Sequence, residues 1–276
     1  MSDSFADRLA ALVEERHSQV CLGLDPEPAP VDEVARRCEE LIEATAGSCV
    51  AVKPQLACFE RLGAPGWECL GTVVEAARAH GLLVVADGKR GDVPVSAVAY
   101  ADALFDPPSG SSGAIRGLGA DAATLNPLLG TDSLEPLIDA AGHAGAGVFV
   151  LVRTSNPGAA DLFDLQTAEG PLFERIARLV DAQAQRLVGD CGLSSIGAVV
   201  GATEPRHLER LRELMPRSIF LMPGVGAQGG SASDLTPAFG EHPASVLVSA
   251  SRSIAGADDP AAAAEALRDE LWGSPQ

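Results

Sequence analysis

The sequence predicts an α/β fold, a closed (β/α)8 barrel of the TIM type built as a single domain from residues 1–276. Three observations carry this reading. Short apolar runs alternate with stretches of helical periodicity about eight times along 276 residues, the rhythm of repeated βα units in a barrel of ordinary size. The runs are apolar at successive positions rather than at every second one, as expected of parallel strands covered on both faces. They also stop at polar residues or proline, at the strand ends where a parallel α/β enzyme keeps its chemistry. An open doubly wound sheet is the competing fold, and the lack of a G-x-G-x-x-G motif after the first strand counts against it.

In order along the chain, Phe5 to Glu15 has helical periodicity, and Val20 to Leu24 is a strand stopping at Asp25 and Pro26. Val31 to Ala46 is a helix and Cys49 to Lys53 a strand ended by Pro54. Trp67 to His80 is a helix whose following Gly81 is suited to a left-handed cap. A strand begins at Leu82, and a helix runs from Val93 to Leu104. The segment Asp106 to Gly117, DPPSGSSGAIRG, is rich in Pro, Gly and Ser and reads as a flexible insertion. Then come strand Ala122 to Leu125, helix Ser133 to Ala144, strand Gly147 to Val152 and helix Pro171 to Val188. The last third repeats the pattern: strand Ile196 to Val200, helix Pro205 to Met215, strand Ile219 to Met222, strand Val246 to Val248 and helix Pro260 to Trp272.

Composition narrows the function. The chain is 46% apolar but only 4% aromatic, so the core is one of Ala, Val, Leu and Ile. A net charge of −18 argues against nucleic acid or an anionic membrane as partner, since both meet a repulsive field. A small anionic substrate in a local basic pocket is still compatible. The first residues lack a basic segment followed by a long apolar one, and no run approaches the roughly 20 residues of a membrane span, so a cytoplasmic protein is expected. The six cysteines show no C-x-x-C pairing and the five histidines are scattered, so buried free thiols and no metal site are expected.

The chemistry centres on Leu82 to Asp92, LLVVADGKRGD, where an apolar run ends in D-x-K-x-x-D. If the strand continues through it, Asp87 and Lys89 lie two residues apart on one side. A strand-end salt bridge flanked by turn glycines is the plainer alternative. Against it stands the lysine usage: Lys53 and Lys89 are the only lysines, the other 18 basic residues being arginine, and both lie at strand ends. An ammonium can release its proton near neutral pH, and a guanidinium effectively cannot. In a barrel the strand ends converge, bringing Asp25, Lys53, Asp87, Lys89, Asn126, Ser155, Pro223 and Arg252 to one rim. The glycine-rich loop Pro223 to Gly230, with Gln228 and Gly229, and Arg252 after the last strand occupy the usual phosphate-binding position of this fold.

The motifs LGLDP, VAVKPQ, DGKRGD, VRTSNPGA, MPGVGAQGG and SASRSI, in this order from about Leu22 to Ile254, resemble those of the orotidine 5′-monophosphate decarboxylases, in their longer bacterial subgroup. The resemblance implies a cofactor-free lyase of pyrimidine synthesis that converts orotidine 5′-monophosphate to uridine 5′-monophosphate. It further implies Lys89 as proton donor and Asp87 as the carboxylate set against that of the substrate. Asp25 and Lys53 would contact the ribose, Ser155 the pyrimidine, and Gln228 and Arg252 the phosphate. Asp92, with Ser96 where many members have threonine, would reach into the neighbouring site of a homodimer.

Those residue types suit the reaction. Loss of CO2 from C6 leaves an in-plane carbanion with no conventional electron sink, so an ammonium beside C6 can oppose the charge and then protonate the carbon. Asp87 and Asp92 would keep that ammonium charged. Proton transfer contributes about 10²- to 10⁴-fold, so pre-organised electrostatics and phosphate binding must supply the rest. Three alternatives stay open: a magnesium-dependent sugar-phosphate decarboxylase or synthase sharing D-x-K-x-x-D, a Schiff-base aldolase acting through Lys89, and a silent nucleotide-binding barrel.

Overall fold

The computed structural model describes residues 4–107, 116–202, 205–224 and 232–273. Eight parallel strands form the barrel: β1 (Val20–Leu24), β2 (Ala51–Pro54), β3 (Leu83–Arg90), β4 (Ala122–Leu125), β5 (Gly147–Arg153), β6 (Ser194–Val200), β7 (Ser218–Pro223) and β8 (Val246–Ala250). Each pairs with its neighbours in sequence, and β8 returns to β1 with Val20 opposite Val248 and Leu22 opposite Ala250. The expected closed barrel is therefore present, and the open sheet is not.

Side chains divide by strand alternation into two apolar layers. Val20, Leu22, Leu24, Val84, Ala86, Val148, Val150 and Val152 face outward and pack with the surrounding helices. Cys21, Ala51, Leu83, Val85, Ala122, Phe149, Leu151, Ile219 and Leu247 belong to the inner layer. That layer also contains Phe5, Ala6, Leu9, Ala10 and Val13 of helix α1 (Phe5–Arg16), so α1 closes the N-terminal end of the barrel. The spacing of these five residues is that of one helix face. Ser4 starts α1 by accepting a hydrogen bond from Asp7 N, satisfying one of the first-turn donors. At its other end the Arg16 guanidinium donates to the carbonyls of Ala46, Cys49, His80 and Gly81, tying α1 to the entries of β2 and β3.

Helices α2 (Val31–Thr45), α3 (Leu56–Glu60), α4 (Ala64–Ala79), α5 (Pro94–Leu104) and α6 (Thr131–Ala144) follow the first four strands. Gly81 has φ 66°, the expected left-handed position just beyond α4. The short α3 and a two-stranded hairpin of Gln166–Thr167 with Gly170–Pro171 were not foreseen, because neither is long enough to show periodicity. Cys21, Cys38, Cys49 and Cys69 are buried and all six cysteines are free; burial pushes the thiols of Cys38 and Cys49 up to about 12, leaving them unreactive. Among the described residues no helix is long and apolar enough to cross a membrane. Of the insertion expected over Asp106 to Gly117, residues 108–115 lie outside the described residues; Asp106 and Arg116 at its edges form an ion pair at 2.8 Å.

Candidate active site

The C-terminal rim is where a charge cluster forms, and Asp87 is its hub. The Asp87 side chain is only 6% exposed. Its Oδ2 accepts from Lys53 Nζ at 2.6 Å and from Gln55 Nε2 at 3.3 Å. Its Oδ1 accepts from Lys89 Nζ at 2.6 Å and from Thr124 Oγ1 at 2.8 Å. The two lysines of the chain thus bracket a single buried carboxylate.

The electrostatics follow from that arrangement. Burial alone would raise the Asp87 carboxyl, but the charges and hydrogen bonds of Lys53 and Lys89 hold it down at about 2. Burial likewise works against the Lys53 ammonium, yet Asp87 first and Asp25 second raise it above the ordinary lysine value. Lys53 is 9% exposed and Lys89 41%, so Lys89 is the member of the cluster that meets solvent.

Strand β3 is assigned through Arg90, but the simple alternation expected across Asp87 and Lys89 does not hold. The pairing of β3 with β4 shifts register between Ala86 and Arg90, and Lys89 takes φ 47°. The two side chains meet because the backbone bulges there, a strained conformation for a residue with a Cβ. Lys89 N–H, displaced from the ladder, donates instead to Thr124 Oγ1 at 2.9 Å.

The remaining residues expected at the rim lie as follows. Asp25 directly follows β1 and is exposed. Asn126 directly follows β4; its N–H donates to Arg90 O at 2.8 Å and its Oδ1 accepts from Leu128 N at 3.1 Å. Ser155 lies two residues past β5 and is half-buried. A Cβ on Gly201 would come within 2.7 Å of Ser155 N, so glycine at the end of β6 lets this loop lie close. Pro223 ends β7. Arg252 opens the short helix Arg252–Ala255 after β8 and is exposed. Here too a glycine permits the approach, since a Cβ on Gly23 would reach 2.7 Å from Ser251 Cβ. Asp92 and Ser96 are half-buried at the start of α5; Asp92 Oδ1 accepts from Val93 N at 2.7 Å and is not joined to the lysine cluster of its own chain. Gln228 and Gly229, with the glycine-rich loop from residue 225 onward, lie outside the described residues.

Three participants escaped the sequence reading. Thr124 carries a signal in hindsight, as the single hydroxyl in the apolar strand AATL. Gln55 follows the lysine strand directly and bridges to Asp87. Arg153, buried at the end of β5, is held bidentately by Asp164, both bonds at 2.9 Å, and so staples the base of the Ser155 loop. Among the described residues no group of three or more His, Cys, Asp or Glu side chains is arranged to hold a metal ion.

A closed parallel barrel with this rim belongs to the barrel enzymes, and comparison with known proteins gives the class as a carboxy-lyase. The sequence model of the orotidine 5′-phosphate decarboxylase / HUMPS family matches residues 18–267. An orotidine 5′-phosphate decarboxylase of Deinococcus radiodurans is 43% identical over 282 residues, covering 99% of this chain and 99% of that protein. One of Rhodopirellula baltica is 43% identical over 270 residues, covering 91% and 88%. Among solved structures, that of Leishmania donovani OMP decarboxylase superposes with a TM-score of 0.83 at 34% identity, covering 99% of this chain and all of that one. The chain belongs to the orotidine 5′-phosphate decarboxylase / HUMPS family.

Proposed function

We propose that the chain converts orotidine 5′-monophosphate to uridine 5′-monophosphate and CO2, in the cytoplasm, as a step of pyrimidine nucleotide synthesis and without a cofactor. The observation that carries this reading is Asp87 held between Lys53 and Lys89 at 2.6 Å on each side. The substrate carboxylate approaches Asp87, an ionised group in its folded environment, and the C6–carboxylate bond breaks. The electron pair stays on C6, CO2 departs, and Lys89 Nζ delivers a proton to that carbon; solvent then reprotonates the amine. The Lys89 ammonium opposes the growing charge before it transfers the proton, so one group serves both needs.

Lys53 and Asp25 bind the ribose, Ser155 the base, and Gln228 and Arg252 the phosphate, with Asn126, Pro223 and Gly229 as further substrate-binding residues. Phosphate binding supplies energy remote from C6 that holds the carboxylate in place. Asp92 and Ser96 complete the site of a second copy in a homodimer. Supporting that assembly, Val93, Val95 and Val98, which neighbour these two residues at the start of α5, are exposed, with Val95 at 87%. Large apolar side chains grouped on one surface mark an interface.

The test is to follow the ultraviolet change of orotidine 5′-monophosphate on adding the purified protein in the presence of a chelator. Conversion to uridine 5′-monophosphate is expected. A folded protein that leaves the substrate untouched would rule the reading out.

A further inference from the structure

We infer that Thr124 is a positioning residue that fixes both the backbone and the ammonium of Lys89 through one hydroxyl; this deepens the proposed decarboxylase reading and rests on it. Thr124 is 1% exposed in a strand whose other residues, Ala122, Ala123 and Leu125, are apolar. A hydroxyl has one proton to give and lone pairs to accept with. Here both capacities are used within a single closed ring. Lys89 N donates to Thr124 Oγ1 at 2.9 Å, Thr124 Oγ1 donates to Asp87 Oδ1 at 2.8 Å, and Lys89 Nζ donates to that same oxygen at 2.6 Å.

The ring has work to do because Lys89 is in an unfavourable conformation. Among the described residues only His17 and Lys89 have positive φ without being glycine, and His17 is a helix cap, a common place for it. Lys89 lies where the ladder between β3 and β4 loses register, so no strand carbonyl holds its N–H. Thr124 replaces that missing bond. The same oxygen orients the carboxylate against which Nζ rests, so the hydroxyl sets where the chain turns and where the ammonium points.

The experiment compares Thr124→Val, which keeps the shape and removes the hydroxyl, with Thr124→Ser, which restores it. In Thr124→Val, kcat is expected to fall about ten- to a hundredfold, the effect of a small misplacement of a reacting group. KM for orotidine 5′-monophosphate and the Kd of uridine 5′-monophosphate by calorimetry should change less than about threefold, because Thr124 is remote from the phosphate. Thr124→Ser should recover most of the rate, and amide exchange at Lys89 should quicken in Thr124→Val alone. If Thr124→Val does not fold, Thr124→Ala carries the same expectations. Unchanged kcat with unchanged exchange, or equal losses in the Val and Ser variants, overturns the proposal. Absence of turnover in the wild type would instead overturn the decarboxylase reading, and exchange at Lys89 would still decide the role of Thr124.

Discussion

Lys53 and Asp87 form an ion pair at 2.6 Å with side chains 9% and 6% exposed, two opposite charges withdrawn together from water. Such a pair adds little net stability when whole, but removing one partner strands the other charge. Asp87→Asn should therefore cost about 3 to 5 kcal/mol at neutral pH, read from urea unfolding, as well as abolishing turnover.

The same pair sets a pH window. Asp87 is depressed to about 2, so its contribution, on the order of 2 kcal/mol, is complete above the usual aspartate value and is lost as pH falls through 2. Lys53 is raised, so its contribution is complete below the usual lysine value and is lost as pH rises through its higher folded value. Stability differences between wild type and Asp87→Asn should thus be greatest at intermediate pH. They should shrink toward pH 2, and again toward strongly alkaline pH as Lys53 sheds its proton. A difference that does not vary with pH would contradict the pairing.

Lys89 joins chemistry to strain. Lys89→Ala should lose turnover entirely yet unfold near the wild-type denaturant concentration, its side chain being 41% exposed. Lys89→Gly removes the penalty of φ 47° and should be more stable than Lys89→Ala by about 1 kcal/mol while remaining equally inactive. Residual turnover in either variant would displace Lys89 as proton donor.

Arg252 is exposed and makes no ion pair among the described residues. Arg252→Ala should therefore leave the melting temperature nearly unchanged and raise KM for orotidine 5′-monophosphate by about 100-fold, the loss of a charged hydrogen-bonding partner. Normal affinity for uridine 5′-monophosphate in this variant would move the phosphate elsewhere.

Asp92 offers a test of sharing between subunits. Neither Lys89→Ala nor Asp92→Ala should be active alone. In the proposed homodimer, the two variants unfolded together and refolded as a mixture should regain about a quarter of wild-type activity, because half of such dimers would be hybrids and each hybrid would have one intact site. No recovery would place Asp92 in the site of its own chain.

How legible the molecule was depended on the length scale of the signal. All eight barrel strands were visible as apolar runs, and Ala122–Leu125 was read with its exact bounds, because strands buried on both faces leave an unbroken pattern. Lys53 and Lys89 stood out through a choice of residue type, since arginine fills every other basic position. The bulge at Lys89 did not stand out: a positive φ is normally announced by glycine or asparagine, and here it falls on a lysine between Gly88 and Arg90. Thr124, Gln55 and the Arg153–Asp164 pair were hidden for a related reason. The roles of Thr124 and Gln55 come from the order of the strands, which places β4 and β2 beside β3, while Arg153 meets Asp164 within the segment after β5.

The pairing of β1 with β8 has a consequence for how the protein is made. Val20 can meet Val248 only after all eight barrel strands have left the ribosome, so until then the nascent sheet carries two raw edges and is open to association with other chains. Arg252 follows two residues after the closing strand. The last seam to be sewn is therefore next to the proposed phosphate site, and under that proposal a chain that has not shut cannot grip a nucleotide. Substrate or product present during synthesis would then act as a template for completion, selecting the closed ring over the incomplete one.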